Sequence, residues 1–309
     1  MTRSLFDRVT DTVTAAADEP GAAAERLLKA LDALADAHQL DVLTGPLQRF
    51  VRALPLGRLR AVLHGRPLGH PMHPMLVQIP IGAWSSAAVL DLVPGARRHA
   101  HLMVALGTVA AVPAAWAGWV DWAEQHEQQM RTGLVHAVGM GAAIGLYGGS
   151  WAARGRGRHG WGRVLGFTGL TVASAGGFLG GHLAYRQSAG ANKTEPVAHL
   201  VEPGWHALGP VDAFPVGEAC RRVVGEVPVL VVRESEHAVH VLAARCSHFS
   251  GPLPEGELVD GRIRCPWHGS VFRVADGWNV DGPATAPQPR FDTRTDGDGT
   301  LHVRLPGAG

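Results

Sequence analysis

The sequence predicts a multidomain membrane protein, a four-helix transmembrane bundle followed by a small all-β domain, and three observations predict it. Residues 75–93, 101–120, 133–153 and 163–185 are four mostly apolar segments, each of about 20 residues and so long enough to cross roughly 30 Å of hydrocarbon. From residue 227 onward the pattern changes to short β-branched runs separated by polar turns, the mark of a small β domain. Inside that second part, Cys246-x-His248 and Cys265-x-x-His268 face each other across sixteen residues, each pair in a Gly/Pro-rich loop.

A chain of 309 residues has room for two or three domains, and the composition divides it at 1–64, 65–185, 186–206 and 207–306. With 28 Lys+Arg against 27 Asp+Glu and no basic run interleaved with aromatics, nothing points to nucleic acid. Of three cysteines, two fall in the paired motifs, which leaves Cys220 without a disulfide partner.

Residues 1 to 70 contain no apolar run of the kind a signal peptide needs. Between 22 and 37, Leu27, Leu28, Leu31 and Leu34 share one helical face. A second stretch gathers Leu43, Leu47, Phe50, Val51 and Leu54, with Arg49 and Arg52 beside them. Two short amphipathic helices are expected, the second lying on the membrane surface or pairing with the first or with a neighbouring subunit.

The four spans are rich in glycine pairs four apart: Gly141 and Gly145, Gly145 and Gly149, Gly176 and Gly180, Gly177 and Gly181. That spacing lets helices approach closely where the hydrophobic effect supplies no drive. Four spans put both chain ends on one side. Basic residues near the spans number six on each side, so the positive-inside rule gives no direction. Lacking a signal peptide, a twin-arginine leader and a disulfide pair, the ends and the β domain are placed in the cytoplasm, in a multi-pass protein of the cell membrane.

By the same topology His70, His73, His136 and His182, with Asp121 and His126, fall on the β domain's side. Ionisable residues in a membrane are costly and often functional. A haem or metal held by His136 and His182 is one expectation, with His73 as the other candidate ligand. The plainer alternative, given more weight, is interfacial histidines bonded to carbonyls, to Asp121 or to lipid head groups. Trp116, Trp119 and Trp122 read as an interfacial aromatic belt.

After a polar linker, strands are expected at 227–233, 237–244, 262–264, 270–274 and 301–305, with Asp-Gly turns at Asp260, Asp276, Asp281 and Asp296. Two Cys and two His in matched loops are metal-ligand pairs. Pro252, Pro254 and Pro266 stiffen the loops, and Gly251 and Gly269 let the backbone approach the metal centre. A zinc site of two cysteines and two histidines is the main alternative. Zinc modules usually open with two to four residues between the first two ligands, whereas one separates Cys246 from His248.

The stretch 246–270 resembles a Rieske iron-sulfur site, and residues 207–306 resemble a soluble Rieske ferredoxin. Such a site holds a [2Fe-2S] cluster, with two thiolates on one iron and two imidazoles on the other, at a potential of roughly −150 to +300 mV. The resemblance assigns Cys246 and Cys265 to one iron and His248 and His268 to the other, and brings the loop 282–289 near the cluster. It also picks out Gly269, Ser270 and Phe272 around the ligands. High-potential respiratory relatives carry a disulfide between the loops and a tyrosine four residues after the second histidine. Here there is no such cysteine pair, and that position is Phe272, while the serine is kept as Ser270. Fewer hydrogen bonds to sulfur put the expected potential in the lower or middle part of the range.

The opening of the first span, G-H-P-M-H-P at residues 69–74, resembles an uncharacterised four-span bacterial membrane family over about 65–185. That likeness supplies a topology and no activity.

An oxygenase needs, beside the cluster, a mononuclear iron held by two histidines and a carboxylate in a large domain. Only 41 residues follow His268. The expectation is a membrane-anchored carrier of single electrons, embedded in the lipid bilayer and serving a redox partner protein or quinol. The alternatives are a redox-sensing cluster that regulates the membrane domain, and a combined b-haem and Rieske module fed by quinol.

Overall fold

A computed structural model describes residues 22–307, so the readings of residues 1–21 and 308–309 lie outside it. Helix α1 (Ala22–Asp32) is shorter than the pattern over 22–37 suggests. Past Asp32 the N–H groups of Leu34, Ala35, Asp36 and Ala37 bond three residues back, a winding tighter than the α-helix. Helix α2 (Asp41–Ala53) forms where the second amphipathic stretch is expected. It docks on its own bundle: Val51 and Leu47 pack with Trp119, Trp122, Ala123 and Met130. Gln48 Nε2 donates to the Ala123 carbonyl at 2.8 Å, and Arg52 meets Glu124 at 2.8 Å. Leu43 and Phe50 stay exposed on its other face. A short helix α3 (Arg58–Leu63) leads to the bundle.

Four long helical stretches pack together: α4 (Met72–Leu76) continued by α5 (Gln78–Leu92), α6 (Arg97–Trp122), α7 (Glu127–Gly155) and α8 (His159–Gly181). Pro80 has no N–H to offer the Leu76 carbonyl, so the first stretch breaks at Val77. Met72–Leu92, Arg97–Trp122 and His159–Arg186 are long and apolar enough to cross a membrane. Helix α7 is not among them, so three of the four expected spans meet that measure of length and composition. It has 29 residues, and glycines at 133, 139, 141, 145, 148 and 149 lower the hydropathy of its centre. Arg131 and Arg154, one near each end, are both buried, with their charges met inside the protein. Arg131 holds the Asp41 carboxylate at 2.7 and 2.8 Å and the Ala35 carbonyl at 2.8 Å. Arg154 holds Asp91 at 2.7 Å.

The glycines that let helices touch are only partly those of the four-apart pairs. A Cβ at Gly176 would stand 2.6 Å from the Met140 sulfur, and one at Gly180 3.1 Å from His136, but Gly141, Gly145, Gly177 and Gly181 face nothing within 4 Å. A Cβ at Gly107 or Gly162, outside those pairs, would come within 2.5 Å of Trp84 or Arg154 respectively, and one at Gly169 within 3.0 Å of Tyr147.

These contacts expose an internal repeat. Across the α5–α7 seam, residues 63 positions apart (73 and 136, 84 and 147, 91 and 154) meet one another. The rings of His73 and His136 are 6.3 Å apart, Trp84 stacks on Tyr147 at 4.2 Å, and Asp91 pairs with Arg154. The partner helices repeat at 62 (107 and 169, 114 and 176, 118 and 180). Gly107 seats Trp84 as Gly169 seats Tyr147, and Gly118 seats His73 as Gly180 seats His136. Level-for-level pairing requires α5 and α7 to run parallel. The bundle is therefore two helical hairpins related by a pseudo-twofold axis along the helices. The three levels span eighteen residues, or roughly 27 Å at 1.5 Å per residue, close to the thickness of the hydrocarbon layer.

A π-turn at His182–Arg186 and a connector with α9 (Val197–Leu200) lead into the β domain. Its strands are β1 (His206–Pro210), β2 (Ala219–Val224), β3 (Val227–Arg233), β4 (Val239–Ala243), β5 (Glu257–Val259), β6 (Arg262–Arg264), β7 (Val271–Arg273), β8 (Asn279–Asp281), β9 (Arg290–Thr295) and β10 (Thr300–Arg304). Six form a sheet ordered β1-β10-β9-β4-β3-β2, and four form a second sheet ordered β5-β6-β7-β8. Strand β3 buries both faces, one in each of two cores. Val229 and Val231 join Phe214, Val241 and Phe291, while Leu230 and Val232 join Leu253, Ile263, Phe272 and the two ligand-loop cysteines.

Candidate metal centre

The first ligand loop leaves β4 and is closed by its own backbone. Cys246 N–H donates to the Gly251 carbonyl and Ser250 N–H to the Cys246 carbonyl, both at 2.8 Å. The second connects β6 to β7, with Cys265 N–H donating to Ser270 O at 2.8 Å and Gly269 N–H to Cys265 O at 3.1 Å. Gly269 takes φ +71°, a conformation glycine reaches without strain. The loops meet at Gly251, where a Cβ would lie 2.6 Å from Cys265 Sγ and 3.3 Å from Trp267.

The sulfurs of Cys246 and Cys265 are hydrogen-bond neighbours, and the His248 and His268 rings lie 5.1 Å apart, nearly perpendicular. That hydrogen bond, reinforced by burial, raises the Cys246 thiol; accepting it lowers Cys265 to about 6. Burial, then the neighbouring His268, holds His248 well below its usual range, and burial, then His126, lowers His268 to about 4. At neutral pH both imidazoles are neutral, the form that ligates metal. His248 Nδ1 is buried with no hydrogen-bond partner among the described residues.

Two sulfurs lie together and two imidazoles lie together, and each loop supplies one of each. That is the donor set of a [2Fe-2S] centre in which two thiolates hold one iron and two imidazoles the other. The residues fit the two-iron cluster.

Around the ligands, Ser270 is fully buried and its Oγ accepts the Ala284 N–H at 3.1 Å, which leaves the hydroxyl proton to donate elsewhere. Phe272 is buried in the core beside both cysteines and brings no polar atom. The loop 282–289 is tied to the first ligand loop by a residue that sequence reasoning misses, Gln288. Its Oε1 accepts from Ser247 N–H, and its Nε2 donates to the carbonyls of Ala243 and Arg245, all at 2.8 Å. Ser247 Oγ donates in turn to Ala286 O at 2.7 Å. The signal for Gln288 is present in the sequence only as an amide between two prolines.

The ligand tip is turned toward the membrane domain. The His126 ring lies 4.8 Å from Phe249, 5.3 Å from Trp267 and 5.6 Å from His268. Beside this contact runs a groove of about 430 Å³ lined by Gln48, Arg52, Gln125, His126, Trp267 and His268, among others. Arg66 donates to Val280 O at 2.9 Å and to Asp281 at 3.0 Å, and Lys193 N–H donates to Ser247 O at 2.9 Å. Beneath the tip, the buried His64 bonds Asp121 at 2.8 Å. His248 lies within the electrostatic reach of His64, and Asp121 within that of His73.

The other histidines divide. His73 and His136 face each other, but His182 does not join them; its Nε2 stands 3.5 Å from Asp32. The pairing of His136 with His182 is thus replaced by His136 with His73, because α4–α5 and α7 are the repeat-related helices at the seam. His70 bonds only the adjacent Pro71 carbonyl.

Comparison with known proteins finds two families along the chain. The family described as "Rieske [2Fe-2S] domain" matches residues 204–292, and "Predicted membrane protein (DUF2231)" matches residues 69–193. The anthranilate 1,2-dioxygenase ferredoxin subunit of Burkholderia cepacia is 34% identical over 103 residues, covering 33% of this chain and 92% of that protein. Ferredoxin CarAc of Metapseudomonas resinovorans is 33% identical over 85 residues, 27% of this chain and 78% of that one. Human apoptosis-inducing factor 3 shares 36% over 66 residues, 21% of this chain and 11% of its own length. Among solved structures, the ferredoxin of carbazole 1,9a-dioxygenase from Nocardioides aromaticivorans IC177 is 25% identical, with a TM-score of 0.31, and covers 33% of this chain and 97% of that one.

Proposed function

This chain belongs to the Rieske [2Fe-2S] family, and from that premise we propose that it is a membrane-anchored carrier of single electrons between a reductase or quinol donor and a protein acceptor. Cys246, Cys265, His248 and His268 would hold the [2Fe-2S] cluster, which supplies a one-electron couple when bound. The observation that carries the reading is the packing of the histidine side of the site against His126 of the membrane domain. The imidazoles are the most exposed of the four ligands and so the natural place for an electron to enter or leave. Here that edge abuts the membrane domain, and His268 also lines the groove beside it. The ferredoxin subunits among its relatives support a carrier role over catalysis, and the membrane domain keeps the carrier close to membrane-bound partners, which raises its effective concentration there.

On this reading the chain crosses the bilayer four times, with both ends and the Rieske domain in the cytoplasm. Helix α7 makes the fourth crossing, with the arginines near its two ends paired to Asp41 and Asp91. Protease treatment of right-side-out and inside-out vesicles tests the sidedness. Digestion of the Rieske domain only from the outer face overturns it.

The carrier role is tested by electron paramagnetic resonance on the detergent-purified protein, as isolated and after reduction. The expected result is a Rieske signal that appears on reduction and disappears rapidly when an oxidised acceptor is added. A signal that exchanges electrons only slowly with every donor, while the oligomeric state changes, instead supports a sensor. The clamp of Arg66 and Lys193 on the tip is the feature that would serve it.

A further inference from the structure

The pair of histidines on the pseudo-twofold axis is a second site, and nothing in the Rieske reading uses it. We propose that His73 and His136 bind one transition-metal atom between their Nε2 atoms, at the end of the bundle nearest the Rieske domain.

Each ring is prepared in the same way by its own hairpin. His73 Nδ1 lies 2.8 Å from the Ala114 carbonyl, and His136 Nδ1 lies 2.8 Å from the Gly176 carbonyl. A carbonyl only accepts, so both Nδ1 atoms carry the proton and both Nε2 atoms present a lone pair. Metal-ligating histidines are typically tied to an acceptor through the other nitrogen in this manner. Neither Nε2 has a hydrogen-bond partner among the described residues. One turn beyond each carbonyl, Gly118 and Gly180 make the seat for the ring, with a Cβ at either position reaching 3.0 or 3.1 Å from it.

The ring centres are 6.3 Å apart and the planes perpendicular. A metal about 2 Å from each Nε2 places imidazole centres roughly 6 Å apart. Related residues that meet on a twofold axis present the same atom from opposite sides, which suits a single central ion. The two imidazoles favour copper, zinc, iron or nickel. Met140, one turn from His136, sets its sulfur against the same Gly176, and copper(I) is the ion that a thioether would add to the choice. With only two protein nitrogens, the metal is either an ion content with few ligands or the iron of a haem, whose macrocycle supplies the rest.

The test measures metal content and the optical spectrum of the full-length chain, purified in detergent and titrated with copper(I), zinc(II) or haem. Paramagnetic resonance of the cluster serves as the control for folding. One metal atom per chain beyond the cluster iron, lost in His73→Ala and His136→Ala but kept in His182→Ala, establishes the site with a free ion. A haem absorption band that follows the same variants establishes it with haem iron. Gly118→Ala and Gly180→Ala, which keep both ligands, weaken binding by roughly 10–100-fold, as loss of a supporting contact does. No extra metal and no haem band, or binding indifferent to His73 and His136 while the cluster signal is intact, overturns the proposal. That result leaves the carrier role standing, because the cluster is read separately.

Discussion

The imidazoles of His126 and His268 lie 5.6 Å apart at nearly right angles, one from the membrane domain and one from the second ligand loop. Replacing His126 by Ala removes the contact without touching a ligand. The cluster signal is retained, and electron exchange with a membrane-bound donor slows by about tenfold, equivalent to ~1.4 kcal/mol of barrier. Stopped-flow reduction of the protein in vesicles measures it. An unchanged rate would show that electrons leave the site by another face.

Ser270→Ala acts on stability and potential together. The Ala284 N–H loses its buried acceptor, at a cost of about 1–3 kcal/mol. Where the Rieske likeness aims that hydroxyl proton at a cluster sulfur, its loss also disfavours the more negative, reduced state. A one-electron couple moves by about 59 mV per tenfold change in its equilibrium constant. A redox titration should show a shift to lower potential of that order, and thermal denaturation a lower midpoint.

Gly251→Ala directs a methyl at Cys265 Sγ, 2.6 Å away, with the Trp267 ring behind it. The second loop must move, and iron content falls steeply while the bundle stays folded. Iron analysis beside circular dichroism separates the two effects.

Asp91 and Arg154 form a buried ion pair, so Asp91→Ala leaves a guanidinium without its counter-charge. The expected loss is about 3–5 kcal/mol, seen as a lower unfolding midpoint in detergent. Because the two positions are equivalent by the repeat, the exchange Asp91→Arg with Arg154→Asp recovers part of it, and no recovery would count against the pseudo-symmetry.

The cluster-free chain should lose stability as pH falls. Burial lowers His268 in the folded state to about 4 from an ordinary 6.5, so below 6.5 the unfolded chain takes up the proton first. Stability conferred by the neutral ring is full above about 6.5 and declines toward 4. Thermal midpoints of the chelated protein between those values check it, and His268→Gln flattens the slope.

The four candidate ligands stand out in the sequence because a Cys and a His at one- and two-residue spacing in Pro/Gly loops leave few other uses. The strands around them are legible from β-branched runs such as Val227–Arg233. Edge elements are not: β1 and β2 carry Pro210 and charged residues where alternation would be read. The apolar centre of helix α7 reads as lipid-facing, since Arg131 and Arg154 declare their partners Asp41 and Asp91 only once the chain is folded. The same holds for His73. It shares few neighbours in sequence with His136, and their relation emerges at an offset of 63 residues, marked by three pairs of which only one is identical. Docking of the ligand tip on His126 leaves no local pattern at all.

The pairing of Asp91 with Arg154 has a consequence for how such a bundle can arise. Two separate copies of one hairpin, meeting on a true twofold axis, would set Asp against Asp or Arg against Arg. Opposite charges can stand on that axis only after both copies share a single polypeptide and are free to diverge. The fused chain can neutralise one end of its seam while keeping two identical imidazoles at the other, which a dimer of identical hairpins could not do.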